Sequence, residues 1–200
     1  MMLIEITGFL GSGKTTLMSG LARWLAGRER KVAILVNEIG EIGIDNRWLK
    51  QLDMNVWELV SGCICCTLAG EFSSTLDSIR KDYDPDLVLI EPSGAADPRA
   101  MDQSLQYSAG GSADIERRIV TLVDPLRLEM LLEITAPMIK GHVARATLVV
   151  IPKADEASAN ELKAAREWVQ SQKPQAEPLE ISAKDRLEDA AAEAIMSCLN

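Results

Sequence analysis

The 200-residue sequence lacks several features that mark particular protein classes. No apolar stretch approaches the roughly 18 residues of a membrane-spanning helix, and no basic segment precedes the first apolar run as in a secretory signal. Positive charge is scarce: 21 lysines and arginines face 30 acidic residues, a net charge of −9, which disfavours a nucleic-acid partner. Four cysteines do not make a secreted disulfide framework. We therefore expect a cytoplasmic protein that engages neither membranes nor nucleic acids.

The sequence also has no internal repeat and no interdomain linker, which predicts one domain over residues 1–200. Short apolar runs alternate with segments of helical periodicity, and some runs, such as Leu87–Ile90, are continuously apolar, as in parallel strands covered on both faces. Predicted strands are 2–7, 32–37, 56–60, 87–91, 119–124, 147–152 and 178–182; predicted helices are 14–27, 69–82, 97–107, 125–143, 155–172 and 185–199. This alternation predicts an α/β fold, a doubly wound and mostly parallel sheet with helices on both faces. Ligands then bind at the carboxyl ends of the strands.

A complete phosphate-binding loop follows the first predicted strand. Residues Gly8-Phe-Leu-Gly-Ser-Gly13-Lys14-Thr15 match the pattern G-x-x-x-x-G-K-[ST] between a strand and a helix. Its glycines allow backbone N–H groups to surround an anion at a helix N-terminus. Lys14 would reach the β- and γ-phosphates, and the Thr15 hydroxyl would bind Mg²⁺. The chain is therefore expected to bind a nucleoside triphosphate.

Three of the four cysteines cluster in Ser61-Gly-Cys63-Ile-Cys65-Cys66-Thr67, between a predicted strand and a predicted helix. Thiolates favour Zn²⁺, Cu(I) and similar ions, although a closed tetrahedral zinc site needs a fourth ligand. Three interpretations remain open from the residues alone: a metal site, a redox pair, or three small packed side chains. Cys198 shares a predicted helical face with Leu187, Ala191 and Ile195, so we expect it in the core. The single histidine, His142, has no neighbouring ligand and is expected to be structural.

Two acidic elements follow predicted strands and are candidates for sensing the nucleotide. The segment Asn37–Asp45 contains Glu38, Glu41 and glycines, which suits either a loop near Mg²⁺ and the γ-phosphate or an ordinary surface turn. Glu91 closes a buried strand and is followed by Pro92-Ser-Gly94, as in the Walker-B element. Glu91 would hold the hydration shell of the metal or orient the attacking water, and the Gly94 N–H would sense the γ-phosphate.

Two further elements resemble those that read guanine in GTPases. Pro152-Lys153-Ala154-Asp155 matches N-K-x-D except for proline in place of asparagine, and Ser182-Ala183-Lys184 matches S-A-K. Asp155 would accept hydrogen bonds from guanine N1–H and the 2-amino group, which adenine lacks. The stem of Lys153 would pack against the base, and the backbone of the S-A-K element would lie near guanine O6. Guanine is favoured over adenine, but Pro152 removes one side-chain hydrogen bond.

Together these motifs resemble the CobW-like metallochaperone GTPases of the SIMIBI class of phosphate-loop proteins, relatives of the GTPases that mature urease and hydrogenase. The resemblance covers nearly the whole chain, in family order: phosphate loop, acidic loop, G-C-x-C-C, E-P-S-G, x-K-x-D and S-A-K. It implies that Cys63, Cys65 and Cys66 hold a transition metal, with Glu38 as a contributor. It also implies that Gly8, Gly11, Ser12, Gly13, Lys14, Thr15 and Thr16 form the phosphate and Mg²⁺ site and that Glu91 serves hydrolysis.

The resemblance implies slow GTP hydrolysis that gates delivery of a metal to a client metalloprotein. Zinc is the first candidate, with Co²⁺ and Ni²⁺ as alternatives. Pairing across the nucleotide face would give a GTP-dependent homodimer. Longer family members carry a C-terminal domain that this sequence does not contain, so either the domain works alone or another protein supplies the docking surface. Two other functions remain open: a small-molecule kinase, or a metal-independent switch that activates a cofactor-dependent enzyme such as a corrinoid methyltransferase.

Overall fold

The computed structural model describes residues 1–28, 30–36, 55–58, 69–92, 115–183 and 187–199. Their strands are β1 (Met2–Gly8), β2 (Val32–Val36), β3 (Asn55–Glu58), β4 (Leu87–Glu91), β5 (Glu116–Leu122), β6 (Leu148–Ile151) and β7 (Leu179–Glu180). Their helices are α1 (Lys14–Ala26), α2 (Ala69–Asp82), α3 (Leu128–Arg145), α4 (Ala159–Gln172) and α5 (Asp189–Leu199). The chain divides into two compact units, Met1–Glu5 with Ala22–Arg117, and Ile6–Leu21 with Arg118–Asn200.

In the first unit the strands lie in the order β3-β2-β4-β1, and the β3–β2, β2–β4 and β4–β1 pairs are parallel. Its core consists of buried apolar side chains from the strands, from α2 and from the residue before β5: Leu3, Ala33, Leu35, Phe72, Leu76, Ile79, Val88, Ile90 and Ile115. β4 is buried along its whole length. A strand covered in this way reads as a continuous apolar run, which is why the sequence predicted it.

In the second unit the end of β1 lies beside β5, followed by β6 and β7. The β5–β6 and β6–β7 pairs are parallel, and the hydroxyls of Thr7 in β1 and Thr121 in β5 lie 2.9 Å apart. The core of this unit is apolar and includes residues from α3, β6 and α4: Val123, Leu128, Val143, Ala146, Val149, Ile151, Ala165 and Val169.

The predicted α/β fold with a mostly parallel sheet is confirmed, since a strand is present at each of the seven predicted positions. The predicted helix 97–107 lies outside the described residues. No helix among the described ranges is long and apolar enough to cross a membrane.

Three helices of the second unit, α3, α4 and α5, begin later than predicted. α4 begins at Ala159 because Ser158 forms a capping box: its hydroxyl accepts the Glu161 N–H at 3.3 Å, and the Glu161 carboxylate accepts the Ser158 N–H at 2.8 Å. α3 begins at Leu128, after a turn at Asp124–Arg127, and is kinked at Thr135. Pro137 explains the kink, because its ring clashes with the preceding helical turn and it lacks an N–H.

The prediction that Cys198 lies in the core is wrong, because its side chain is exposed. α5 begins at Asp189, so Leu187 precedes the helix and does not belong to its apolar face. The buried face of α5 is formed by Ala192, Ile195 and Leu199, and Cys198 lies at its flank. His142 is buried in α3, where its carbonyl oxygen accepts a hydrogen bond from the Thr121 hydroxyl at 3.3 Å.

Candidate nucleotide-binding site

The segment between β1 and α1 is a tight loop built on three glycines. Gly8, Gly11 and Gly13 have φ values of 141°, 75° and 93°, which residues with side chains rarely adopt. At Gly8 an added Cβ would also lie 2.8 Å from the carbonyl oxygen of Leu122. The glycine spacing in the sequence therefore reflects a backbone that only glycine forms without strain.

Hydrogen bonds within the loop stabilise its conformation. The Ser12 N–H and the Lys14 ammonium donate to the carbonyl oxygen of Phe9, at 3.1 and 3.3 Å. Lys14 is buried where α1 begins, and the Ser12 hydroxyl is buried against Gly8. A glycine cradle with a buried ammonium at a helix N-terminus fits the phosphate groups of a nucleotide.

A cavity of about 240 Å³ lies beside the loop, within the second unit. The structure thus brings the first turn of α1 together with the elements expected to read the base. Thr15 is half-buried and Thr16 is exposed at the start of α1. The cavity is lined by Gly13, Thr16, Leu17, Leu122, Pro152, Lys153, Asp155, Glu156, Ile181 and Ala183.

Hydrogen bonds tie the loops after β6 and β7 to each other. The Asp155 N–H donates to the Ser182 hydroxyl at 3.1 Å, and the Ala154 N–H donates to the Ile181 carbonyl oxygen at 3.1 Å. The side chain of Asp155 stays exposed at the cavity. Ser182 therefore positions the backbone that carries Asp155, a role that the sequence analysis did not assign to it.

Lys153 connects the base-reading loop to the phosphate loop. Its φ of 59° lies in the left-handed region, which is uncommon for a residue with a side chain. Its ammonium donates to the carbonyl oxygen of Gly11 at 2.9 Å and pairs with Asp124 Oδ2 at 2.6 Å. The stem of Lys153 was predicted to pack against the base, and the structure also places its charged end at the phosphate loop.

Asp124 is a site residue that the sequence analysis missed. It follows β5, is 2% exposed, and accepts the Leu126 N–H at 3.1 Å through Oδ1 while Oδ2 holds Lys153. One sequence signal could have indicated it. Asp124-Pro125 lies just after the buried end of β5, much as Glu91-Pro92 lies at the end of β4, but only Glu91 was predicted as a site residue.

Of the seven remaining predicted residues, only Glu91 is among those that the structure describes. Glu91 ends β4 in the first unit and is buried at 7% exposure. Six predicted residues, Glu38, Cys63, Cys65, Cys66, Gly94 and Lys184, lie outside the described residues. Within the ranges that the structure describes, no cluster of three histidine, cysteine, aspartate or glutamate side chains could hold a metal ion. The cysteine assignment therefore stays a prediction.

Similar solved structures support the fold. The Zn(II)-bound YjiA GTPase of Escherichia coli superposes with a TM-score of 0.68 and 21% identity, over 94% of this chain and 59% of that chain. The hydrogenase maturation factor HypB of Archaeoglobus fulgidus superposes with a TM-score of 0.67 and 20% identity, over 100% of this chain and 90% of that one.

Sequence relatives are more similar. The zinc chaperone CobW of Pseudomonas aeruginosa is 32% identical over 202 residues, which cover 86% of this chain and 53% of that protein. The zinc chaperone YeiR of Escherichia coli is 32% identical over 165 residues, 82% of this chain and 50% of that protein. The chain thus spans about half the length of these relatives. Residues 2–180 match the model of the CobW/HypB/UreG nucleotide-binding domain, and the chain belongs to this family.

Proposed function

We propose that residues 1–200 act as one phosphate-loop GTPase domain that binds Mg²⁺-GTP, hydrolyses it slowly and carries a transition metal to a client metalloprotein. The cavity beside the phosphate loop is the main support for nucleotide binding, because Gly13 and Thr16 of the phosphate site line it together with Lys153 and Asp155 of the base-reading element. The family match over residues 2–180 supports it, since it spans the phosphate loop, the Glu91 element and the Pro152–Asp155 element.

The residues divide the work on the nucleotide as follows. Lys14 and the loop N–H groups would neutralise and orient the β- and γ-phosphates, and the Thr15 hydroxyl would hold Mg²⁺. Bound Mg²⁺ would offset negative charge that develops on the phosphates. The Asp155 carboxylate accepts hydrogen bonds from guanine N1–H and the 2-amino group, and Glu91 with the Gly94 N–H serves hydrolysis and γ-phosphate sensing. Ser182, Ala183 and Lys184 complete the base site.

Zinc is the proposed cargo, with Co²⁺ or Ni²⁺ as alternatives, and Cys63, Cys65 and Cys66 are its proposed ligands with Glu38 as a contributor. Two observations support zinc. Closely spaced thiolates favour it over Mg²⁺ or Ca²⁺, and similar proteins are named zinc chaperones or zinc-regulated GTPase metalloprotein activators. We further propose a cytoplasmic location and a nucleotide-dependent homodimer.

The test is the zinc affinity of the purified chain, measured by competition with a chromophoric chelator. It is run without nucleotide, with Mg²⁺ and non-hydrolysable GTP, and with Mg²⁺-GDP. We expect the GTP and GDP forms to differ about 5- to 150-fold, the usual range of coupling between two sites. Nucleotide affinity must then depend on zinc by the same factor. Equal zinc affinity in all three states would make the metal structural and favour a metal-independent partner switch.

A matched pair of cysteine variants tests the ligand assignment. The double variant Cys63→Ser, Cys65→Ser should lose most of the zinc affinity, because two of the three proposed thiolates are removed. Cys198→Ser should keep it, since Cys198 is exposed on α5 and lies outside the cluster. Equal losses in both variants, or none in the double variant, would contradict the assignment.

A further inference from the structure

Arg127 occupies a position that its helix does not favour. It is the N-cap residue of α3, and its side chain makes no capping hydrogen bond. N-cap positions prefer Ser, Thr, Asp or Asn, whose oxygens accept the first free N–H groups of a helix. A cation there also faces the positive end of the helix dipole. A residue that breaks local rules in this way points to a role outside its own helix.

The side chain of Arg127 reaches the phosphate loop instead. Its Nη1 donates to the carbonyl oxygen of Leu10 at 3.1 Å, and a Cβ added to Gly11 would lie 2.6 Å from the same nitrogen. The turn that carries Arg127 is fixed at Asp124, whose carbonyl oxygen accepts the Arg127 N–H at 3.3 Å. The guanidinium therefore lies against the Leu10–Gly11 peptide.

This contact determines which way the peptide faces. A trans peptide is planar, and its N–H points away from its carbonyl oxygen. With the Leu10 oxygen bound to Arg127, the Gly11 N–H points to the opposite side. A cation on the carbonyl also polarises the peptide and strengthens its N–H as a donor.

We propose that Arg127 is a positioning residue for the nucleotide: it holds the Leu10–Gly11 peptide so that the Gly11 N–H is presented to the phosphates. The surrounding charge agrees with this role. Lys14, Lys153 and Arg127 all donate to carbonyl oxygens of this one loop, in a chain of net charge −9. The inference rests on nucleotide binding and is independent of the metal-carrier proposal.

Arg127→Ser separates this role from a merely structural one, because the two predict different signs. Serine is a good N-cap and removes the cation from the helix N-terminus, so the melting temperature of the nucleotide-free protein should rise by about 2–4 °C. Affinity for fluorescent GDP and GTP analogues should nevertheless fall about tenfold, the usual effect of losing one hydrogen bond to a charged group.

Two further variants serve as controls for Arg127→Ser. Arg127→Lys should recover part of the affinity, because it restores the charge without the planar fork of the guanidinium. Arg166→Ala should leave nucleotide affinity unchanged, since exposed Arg166 pairs with Glu180 and not with the phosphate loop.

The outcomes distinguish this inference from the proposed function. If the wild-type chain binds nucleotide and Arg127→Ser binds it equally well, only the inference on Arg127 is overturned. A variant that loses affinity and stability together would also overturn it, because Arg127 would then merely support the fold. A wild-type chain that bound no nucleotide would overturn the proposed function and this inference with it.

Discussion

Each of the two units contains a buried carboxylate with a cationic partner, and the two pairs are built differently. In the first unit, Glu5 lies inside β1 at 3% exposure and accepts hydrogen bonds from Arg117 Nε, at 2.8 Å, and Nη2. In the second unit, Asp124 holds Lys153, whose ammonium also donates to the Gly11 carbonyl oxygen of the phosphate loop. The first pair joins two strand residues, whereas the second connects two binding loops.

The backbone also differs between the two pairs, because Lys153 has a positive φ and neither Glu5 nor Arg117 does. Lys153 has a φ of 59°, a conformation that costs free energy and persists where the surrounding structure enforces it. Such strain is concentrated at functional sites. A buried ion pair alone is weak support for either stability or function, because desolvation offsets much of the attraction between the charges. Asp124 is connected to the nucleotide site because its partner Lys153 also donates to the Gly11 carbonyl oxygen of the phosphate loop.

The largest effect is expected at the pair in the first unit. Glu5→Gln should lower the free energy of unfolding by about 3 kcal/mol, because it leaves the Arg117 guanidinium, only 14% exposed, without its charged partner. Chemical denaturation measures this, and nucleotide affinity of the folded protein should stay unchanged. The double variant Glu5→Leu, Arg117→Met should regain most of the lost stability, since apolar pairs of similar volume replace buried ion pairs at little cost. A large loss of nucleotide affinity in Glu5→Gln would contradict the view that the first pair is structural and only the second serves nucleotide binding.

A smaller loss of stability and a clear loss of binding are expected at the second pair. Asp124→Asn should lower the free energy of unfolding by about 2 kcal/mol, less than at Glu5 because the Lys153 side chain is 28% exposed and can be hydrated. Affinity for GDP should fall about tenfold, because Lys153 loses the partner that holds it against the Gly11 carbonyl oxygen. Titration with a fluorescent GDP analogue measures this change.

Two controls sharpen the test of Asp124. Asp155→Asn should reduce the preference for guanine over adenine nucleotides, whereas Asp124→Asn should weaken both and leave their ratio unchanged. An apolar replacement of both Asp124 and Lys153 should not restore nucleotide affinity, in contrast to the double variant at Glu5 and Arg117. Restored affinity would mean that the second pair, like the first, is only structural.

The strands and much of the nucleotide site could be predicted from the sequence, because both leave local patterns in it. The strands were predicted because parallel strands covered on both faces read as short continuous apolar runs, as at Leu87–Ile90. The meeting of Asp155 and Ala183 with Gly13 at one cavity follows from this fold, since loops at the carboxyl ends of parallel strands converge. Hydrophobic periodicity and the order of the motifs were therefore enough to predict the fold and much of the nucleotide site.

What the sequence analysis missed depends on contacts between distant positions. Asp124 and Lys153 are separated by 29 positions, and Arg127 and Leu10 by 117, so neither contact leaves a local pattern. Cys198 was placed on the wrong face for a related reason: the buried Leu187 precedes α5 and packs against Gly20, yet it was counted in the helical periodicity. Apolar spacing alone does not reveal where a helix begins.

The smallest effect is expected at an exposed carboxylate that has hydrogen bonds instead of a cation. The Ser158 hydroxyl and N–H both donate to Glu161 and hold the pKa of that carboxyl below its usual range. Because the pKa is lower in the folded state, the stabilisation is present above the pKa of the unfolded chain and is lost as the pH falls through the folded value. Ser158→Ala should lower the melting temperature at pH 7 by about 2–4 °C through loss of the cap.

The pH dependence of Ser158→Ala distinguishes the capping box from an ordinary surface contact. The difference in melting temperature between wild type and variant should shrink in acid, once Glu161 is protonated in both the folded and the unfolded state. Lys163→Ala provides the control, since its 3.8 Å contact with Glu167 joins two exposed side chains and contributes little. A difference for Ser158→Ala that stayed constant down to the acid limit of folding would show that the hydroxyl caps α4 without involving the Glu161 carboxylate. A difference that shrinks in acid would show that the three carboxylates have different roles: Glu5 supports a strand pair, Asp124 the nucleotide site, and Glu161 only the start of one helix.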